Sequence, residues 1–278
     1  LEQASKRSAE ERDAFLAQAC GDDAGLRAEI ESLLSNCVIL LDPSLNPDGF
    51  NRFANWVNRY RGRSLNPDPQ HAEHNQTWPS GRVNYYWFDL NRDYLLLVNP
   101  ESRGRIQKFH EWRPNVVTDH HESSPDFTFF FQPGVPERSN PLTPEKNYTL
   151  TAKFASYHAR YLDEIGSDYF SEEVFDDYYF GKGSSYPDIH GGIGILFEQA
   201  SIRGRIRETS HGPKTLSQAM KNQFTVSLST LSASVDLRDD LLSYQREFYT
   251  DALTLAENSL IKGYVFGSAD DRIKTRKF

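Results

Sequence analysis

Gly194-Ile195-Leu196-Phe197-Glu198-Gln199-Ala200 is an apolar run that ends on a carboxylate. Its residues suit a strand buried on both faces, as in a largely parallel sheet. Glu198 then sits at the strand's carboxyl end, where open α/β sheets bind their ligands. A partly desolvated carboxylate at that place has a raised pKa and can act as a general base. An ion pair with Arg203 or Arg205 is the plainer alternative.

Three other short runs read the same way: Cys37-Val38-Ile39-Leu40-Leu41, Val116-Val117-Thr118 and Phe127-Thr128-Phe129-Phe130-Phe131. Helical patterns span Pro144 to Ile165 and Leu216 to Leu260. A further helical stretch, Ser8 to Leu34, opens with capping-box spacing at Ser8 and Glu11 and breaks at Gly21-Asp22-Asp23. Strands interleaved with helices predict an α/β fold, a mixed and largely parallel sheet flanked by helices. Arg61 to Val83 is rich in Asn, Pro, Gly and His and reads as a long functional loop.

The 278 residues are enough for one large domain or a domain with an extension. A net charge of −8 without a basic stripe argues against a nucleic-acid partner. No run of 18 apolar residues is present, so no membrane-spanning helix is expected. The polar opening, Leu1-Glu2-Gln3-Ala4-Ser5-Lys6-Arg7, does not read as a signal peptide. Cys20 and Cys37 read as buried free thiols rather than a disulfide framework. Asn75 and Asn147 stand in Asn-x-Thr sequences, which matter only in a host that glycosylates.

Several residues suit chemistry. His120 and His121 follow a strand, so their side chains point to opposite faces and only one can serve a given site. Imidazole is the commonest metal ligand. In Asp89-Leu90-Asn91-Arg92-Asp93, a guanidinium able to grip a carboxylate bidentately stands beside an amide donor. Asn46-Pro47-Asp48-Gly49 by itself is a tight-turn signal.

In order and in their flanks, these segments resemble the M14 family of zinc metallocarboxypeptidases, from about Asn36 to Gly267. Matching flanks include Leu41 to Phe50, Phe129 to Gly134, and Ser184-Ser185-Tyr186-Pro187-Asp188 leading to Glu198. The resemblance implies a zinc-dependent hydrolase of C-terminal peptide bonds whose partner is a peptide or protein C-terminus. His121 would be a zinc ligand. Asn91 and Arg92 would hold the substrate's terminal carboxylate, with Asp93 where the family often has Asn. Arg61, with Arg59 as a close competitor, would polarise the scissile carbonyl, and Tyr178 would cap the pocket. Glu198 would activate the zinc-bound water, since zinc lowers that water's pKa and a carboxylate then manages the proton. An extracellular or periplasmic location is also implied.

The family's other two ligands come from a His-x-x-Glu before the Asn-Pro-Asp-Gly segment. None of the eight histidines here has Glu three residues on, and none precedes Asn46. His71-Ala72-Glu73-His74 has metal-like spacing, but it lies in the long loop. Glu10 to Cys20 together with Leu26 to Leu34 instead resembles the helical segment that precedes the kinase domain in many bacterial serine/threonine kinases. The expected organisation is therefore a foreign helical segment over 1–35, an N-terminally truncated carboxypeptidase-like domain over 36–267, and a truncated basic tail over 268–278. The expected function is a carboxypeptidase-like hydrolase impaired by the missing zinc motif. The alternatives are a non-catalytic module that binds peptide carboxylates and an inactive fusion fragment.

Overall fold

The computed structural model describes Glu11 and residues 23–271. In chain order its elements are α1 (Ala24–Asn36), α2 (Pro47–Tyr60), α3 (Pro100–Trp112), β1 (Val116–Ser123), β2 (Phe129–Phe131), α4 (Glu145–Glu164), β3 (Tyr169–Phe170), β4 (Ile193–Ala200), β5 (Ile206–Arg207), β6 (Lys214–Thr215), α5 (Leu216–Asp236) and α6 (Arg238–Asn258). Apart from Glu11, the first expected helix, up to Gly21, lies outside the described residues, as does Cys20. The second appears as α1, and the long C-terminal pattern divides into α5 and α6.

The main sheet is mixed, in the order β1-β4-β2-β3. β1 and β4 are parallel, as are β2 and β3, while β2 and β4 are antiparallel. Register settles the two faces. Ile193, Ile195 and Phe197 point to one side with Phe129 and Phe131, and they pack on Leu150, Phe154 and Leu162 of α4 and on Val226 and Ala233 of α5. Helices therefore cover that face, as the alternation of a buried strand requires. The opposite face carries Asp119, His121 and Glu198, with His121 directly beside Glu198 in the β1–β4 register. Loops cover it instead of helices.

Glycine is required where a loop meets this face. A Cβ on Gly194 would lie 1.7 Å from the Ser184 carbonyl oxygen, so the Ser184 backbone rests directly on β4. Asp188 fixes the start of the strand by accepting from the Gly194 N–H at 3.0 Å and from Asn147 at 2.9 Å. Asn147 is 1% exposed, which removes it as a glycosylation site in the folded chain.

Cys37–Leu41 is not a strand. The segment is extended and unpaired, with Val38 76% and Leu41 62% exposed. A strand needs a neighbour for its backbone groups, and the hydrogen-bonded neighbour of β1 is β4. The chain here is anchored from α3, where Arg105 contacts Asp42 at 2.9 Å and the Leu45 carbonyl at 2.7 Å. Cys37 is a free, half-buried thiol.

Asn46-Pro47-Asp48-Gly49 starts a helix rather than an isolated turn. The Asn46 side chain caps α2 by accepting from the Gly49 N–H at 3.0 Å, and Pro47 takes the first helical turn, where its missing N–H costs nothing. α2 then holds the end of the long loop. Asn46 Nδ2 donates to the Arg82 carbonyl, Arg52 donates to the Ser80 and Val83 carbonyls, and Asp48 accepts from the Tyr85 N–H. A Cβ on Gly49 would lie 2.0 Å from the Gly81 carbonyl oxygen, so this contact also needs glycine.

Candidate active site

Three side chains from the sheet meet three from the loops. Asp119 and His121 are two residues apart on β1 and share a face, and His121 Nε2 lies 2.7 Å from Asp119 Oδ1. His120 points the other way, toward Gln223 of α5 and the Phe197 ring. The opposite-face reading of the two histidines therefore separates them cleanly.

Asn91 sits in a short 3-10 turn, Leu90–Arg92, capped by the Asp89 carboxylate and pinned by buried Leu90. Its amide ties loop to sheet: Nδ2 donates to Asp119 Oδ2 at 2.9 Å and contacts His121 Nε2, while Oδ1 accepts from the Gly183 N–H at 2.8 Å. Arg92 is solvent-exposed and uses one donor, Nη1, on the Asn91 carbonyl. Its other guanidinium donors make no hydrogen bond to the described residues. Asp93 turns away from this group. It accepts from the Val98 and Asn99 backbone and from the Asn99 side chain, so its work is to fix the following turn.

Electrostatics single out Glu198. Burial pushes its carboxyl up to about 7; the Asp119 charge adds to the push, while His121, Arg82 and Arg92 pull against it. Its Oε2 is buried without a hydrogen-bond partner among the described residues. Burial alone would raise Asp119 as well, but the His121 and Asn91 hydrogen bonds and the Arg82 charge hold it below the usual carboxylate range. Burial alone would lower His121, but the Asp119 contact and the Glu198 charge raise it. The two shifts favour the Asp119–His121 ion pair from both sides, next to a Glu198 whose carboxyl is pushed up to about 7.

Arg82 was not among the residues picked from the sequence. It is an exposed loop arginine held by Asp89 at 2.9 Å, and its charge acts on Asp119, His121 and Glu198 together. Arg61 caps the end of α2 and is exposed; the charges that weigh most on Glu198 are those of His121, Asp119, Arg82 and Arg92. Tyr178 is 56% exposed. The tyrosine that touches the motif is its neighbour Tyr179, whose hydroxyl donates to the Arg92 carbonyl at 3.2 Å. The sequence signal that points to Arg82 is its place seven residues before the acidic cap Asp89.

Zinc does not fit the residues present. A catalytic zinc centre takes three well-placed protein ligands. The described residues contain no group of three His, Cys, Asp or Glu side chains that could hold a metal ion. His121 is already engaged by Asp119. His74 is 2% exposed, with both ring nitrogens against backbone carbonyls, those of Ile202 and Asn66, so the His71–His74 pair supplies no substitute.

Residues 15–157 match the family model described as zinc carboxypeptidase, and the chain belongs to that family. The match begins inside the helical segment expected to be foreign to it. Two solved structures are similar: a candidate carboxypeptidase A from Shewanella denitrificans OS-217, at 15% identity with a TM-score of 0.46, and a metallo-carboxypeptidase from Burkholderia cenocepacia, at 14% identity with a TM-score of 0.41. Each likeness covers 75% of this chain, and 53% and 51% of the other chain respectively, so this chain spans about half their length. No curated protein matches. No helix among the described residues is long and apolar enough to cross a membrane.

Proposed function

We propose that this chain recognises the C-terminal end of peptides in a carboxypeptidase-type site, and that the residues it carries hold such a ligand without cleaving it. The observation that carries the reading is Glu198 itself: a desolvated carboxylate with an unpartnered oxygen, facing the charges of Arg82 and Arg92. In this reading Arg92 takes the terminal carboxylate, and Asn91, its amide engaged by Asp119 and Gly183, positions Arg92 beside the sheet. Arg82, rather than Arg61, lies against the carbonyl of the last peptide bond. The Glu198 carboxyl, protonated in part at neutral pH, meets the amide. Zinc-assisted hydrolysis needs three well-placed protein ligands to hold the metal, and the described residues bring no such set together.

Titration of the whole chain with a short peptide and its C-terminally amidated twin tests this. A charge-assisted contact is worth about 1.5–3 kcal/mol, so the free acid should bind about tenfold to a hundredfold tighter. The gap should close in Arg92→Gln. Equal affinities for acid and amide in the unaltered chain would rule the reading out.

A further inference from the structure

Beyond the carboxyl ends of β1 and β4 lies a second concave surface. It is a cleft of about 580 Å³ whose lining includes Glu122, Ser123, Ser201, Arg203 and Arg207. It lies at the same end of the sheet as the site: Ser123 follows His121 by two residues on β1 and shares its face, and Ser201 follows Glu198 by three residues. At about 3.3 Å per extended residue, its polar groups lie roughly 7–10 Å further out, the span of two or three peptide residues.

Two arginines dominate its charge. Among the described residues neither forms an ion pair within 4.0 Å, in contrast to Arg205, whose Nε lies 3.7 Å from Glu73. Desolvation and the like charge of Arg203 lower the Arg207 pKa, with Asp126 opposing. Arg207 Nε and Ser123 Oγ are both buried with no hydrogen-bond partner, and such orphaned groups are rare in folded proteins. Glu122 feels the Arg203 charge but makes no ion pair with it: desolvation raises its pKa against that charge, and its carboxylate accepts from the Ser201 hydroxyl at 3.1 Å. Among the described residues neither guanidinium is closed off by a carboxylate ion pair, which leaves room for one.

We propose that this cleft takes an acidic side chain of the bound peptide, two or three residues before the C-terminal one, with Arg203 and Arg207 gripping its carboxylate. The inference rests on the peptide-end reading of the neighbouring site. It makes the chain selective for acidic tails, a property of different residues from those that hold the terminus.

The test is a four-way peptide set: glutamate or glutamine at the third and fourth places from the end, each as free acid and as amide. The whole chain should bind the glutamate peptides about tenfold tighter than the glutamine ones. In Arg203→Gln, and in Arg203→Gln combined with Arg207→Gln, that preference should fall to about twofold or less, while the acid-over-amide preference stays. Arg203 is exposed, so its variant carries the test even where replacing the partly buried Arg207 disturbs folding, which a urea melt would reveal. Equal binding of glutamate and glutamine peptides, or a preference that survives Arg203→Gln and the double variant, overturns the proposal. A glutamate preference lost in Arg203→Gln, with no acid-over-amide difference, keeps the acidic cleft and removes only the peptide-end reading.

Discussion

His158 offers the sharpest test of how the helix layer meets the sheet. The residue is fully buried on α4, and its Nδ1 lies 2.7 Å from the Ser229 hydroxyl of α5. That hydroxyl donates to the Val226 carbonyl, so its oxygen accepts and the ring carries its proton on Nδ1. Nε2 has no partner, and the ring packs against Phe131, Phe154 and Phe197. Charging this ring would put an N–H among phenyl rings. Burial, with a smaller push from His120, therefore lowers its pKa to about 3. The folded chain resists the proton that the unfolded chain accepts near pH 6.5, so the stabilisation is present above that pH and is lost as pH falls toward 3. Between pH 7 and pH 5 this single group should cost about 2 kcal/mol of stability. His158→Asn removes the titration while keeping a donor for Ser229. Urea unfolding of both proteins at the two pH values is the assay. Whatever gap separates them at pH 7 should shift by about 2 kcal/mol in favour of the variant at pH 5. A gap that does not change with pH would refute the buried, neutral assignment.

Two substitutions probe the loop-covered face. Gly194→Ala should destabilise the chain by about 3 kcal/mol or more, because the new methyl has only the Ser184 backbone to push against; a variant with the urea midpoint of the parent would show that Ser184 does not rest on β4. Asn91→Ala removes the acceptor for the buried Gly183 N–H and a donor to Asp119, a loss of about 1–3 kcal/mol in the same assay, and a change under about 0.5 kcal/mol would contradict the bridging role.

The sheet was legible in its short apolar and β-branched runs. Val116–Thr118, Phe129–Phe131 and Ile193–Phe197 are continuous apolar runs, and the structure makes strands of them. Cys37–Leu41 has the same composition but no strand beside it, and composition cannot report a partner. Within the site, period-two alternation was enough to separate His121 from His120, because it depends only on the strand. Arg82 escaped because its position depends on Asn46 and Arg52 binding the carbonyls of its loop, contacts made across some 30 residues. Asp93 reads like a site residue beside Asn91 and Arg92, yet three hydrogen bonds to the following turn hold it elsewhere.

In the proposed reading this chain holds peptide ends with its own side chains rather than through a metal. Calorimetric titration with a free-acid peptide, in excess chelator and again with one equivalent of zinc, addresses it directly. Affinity that is the same in both conditions, with no C-terminal residue released, is the predicted result. Binding abolished by chelator and restored by zinc would contradict it.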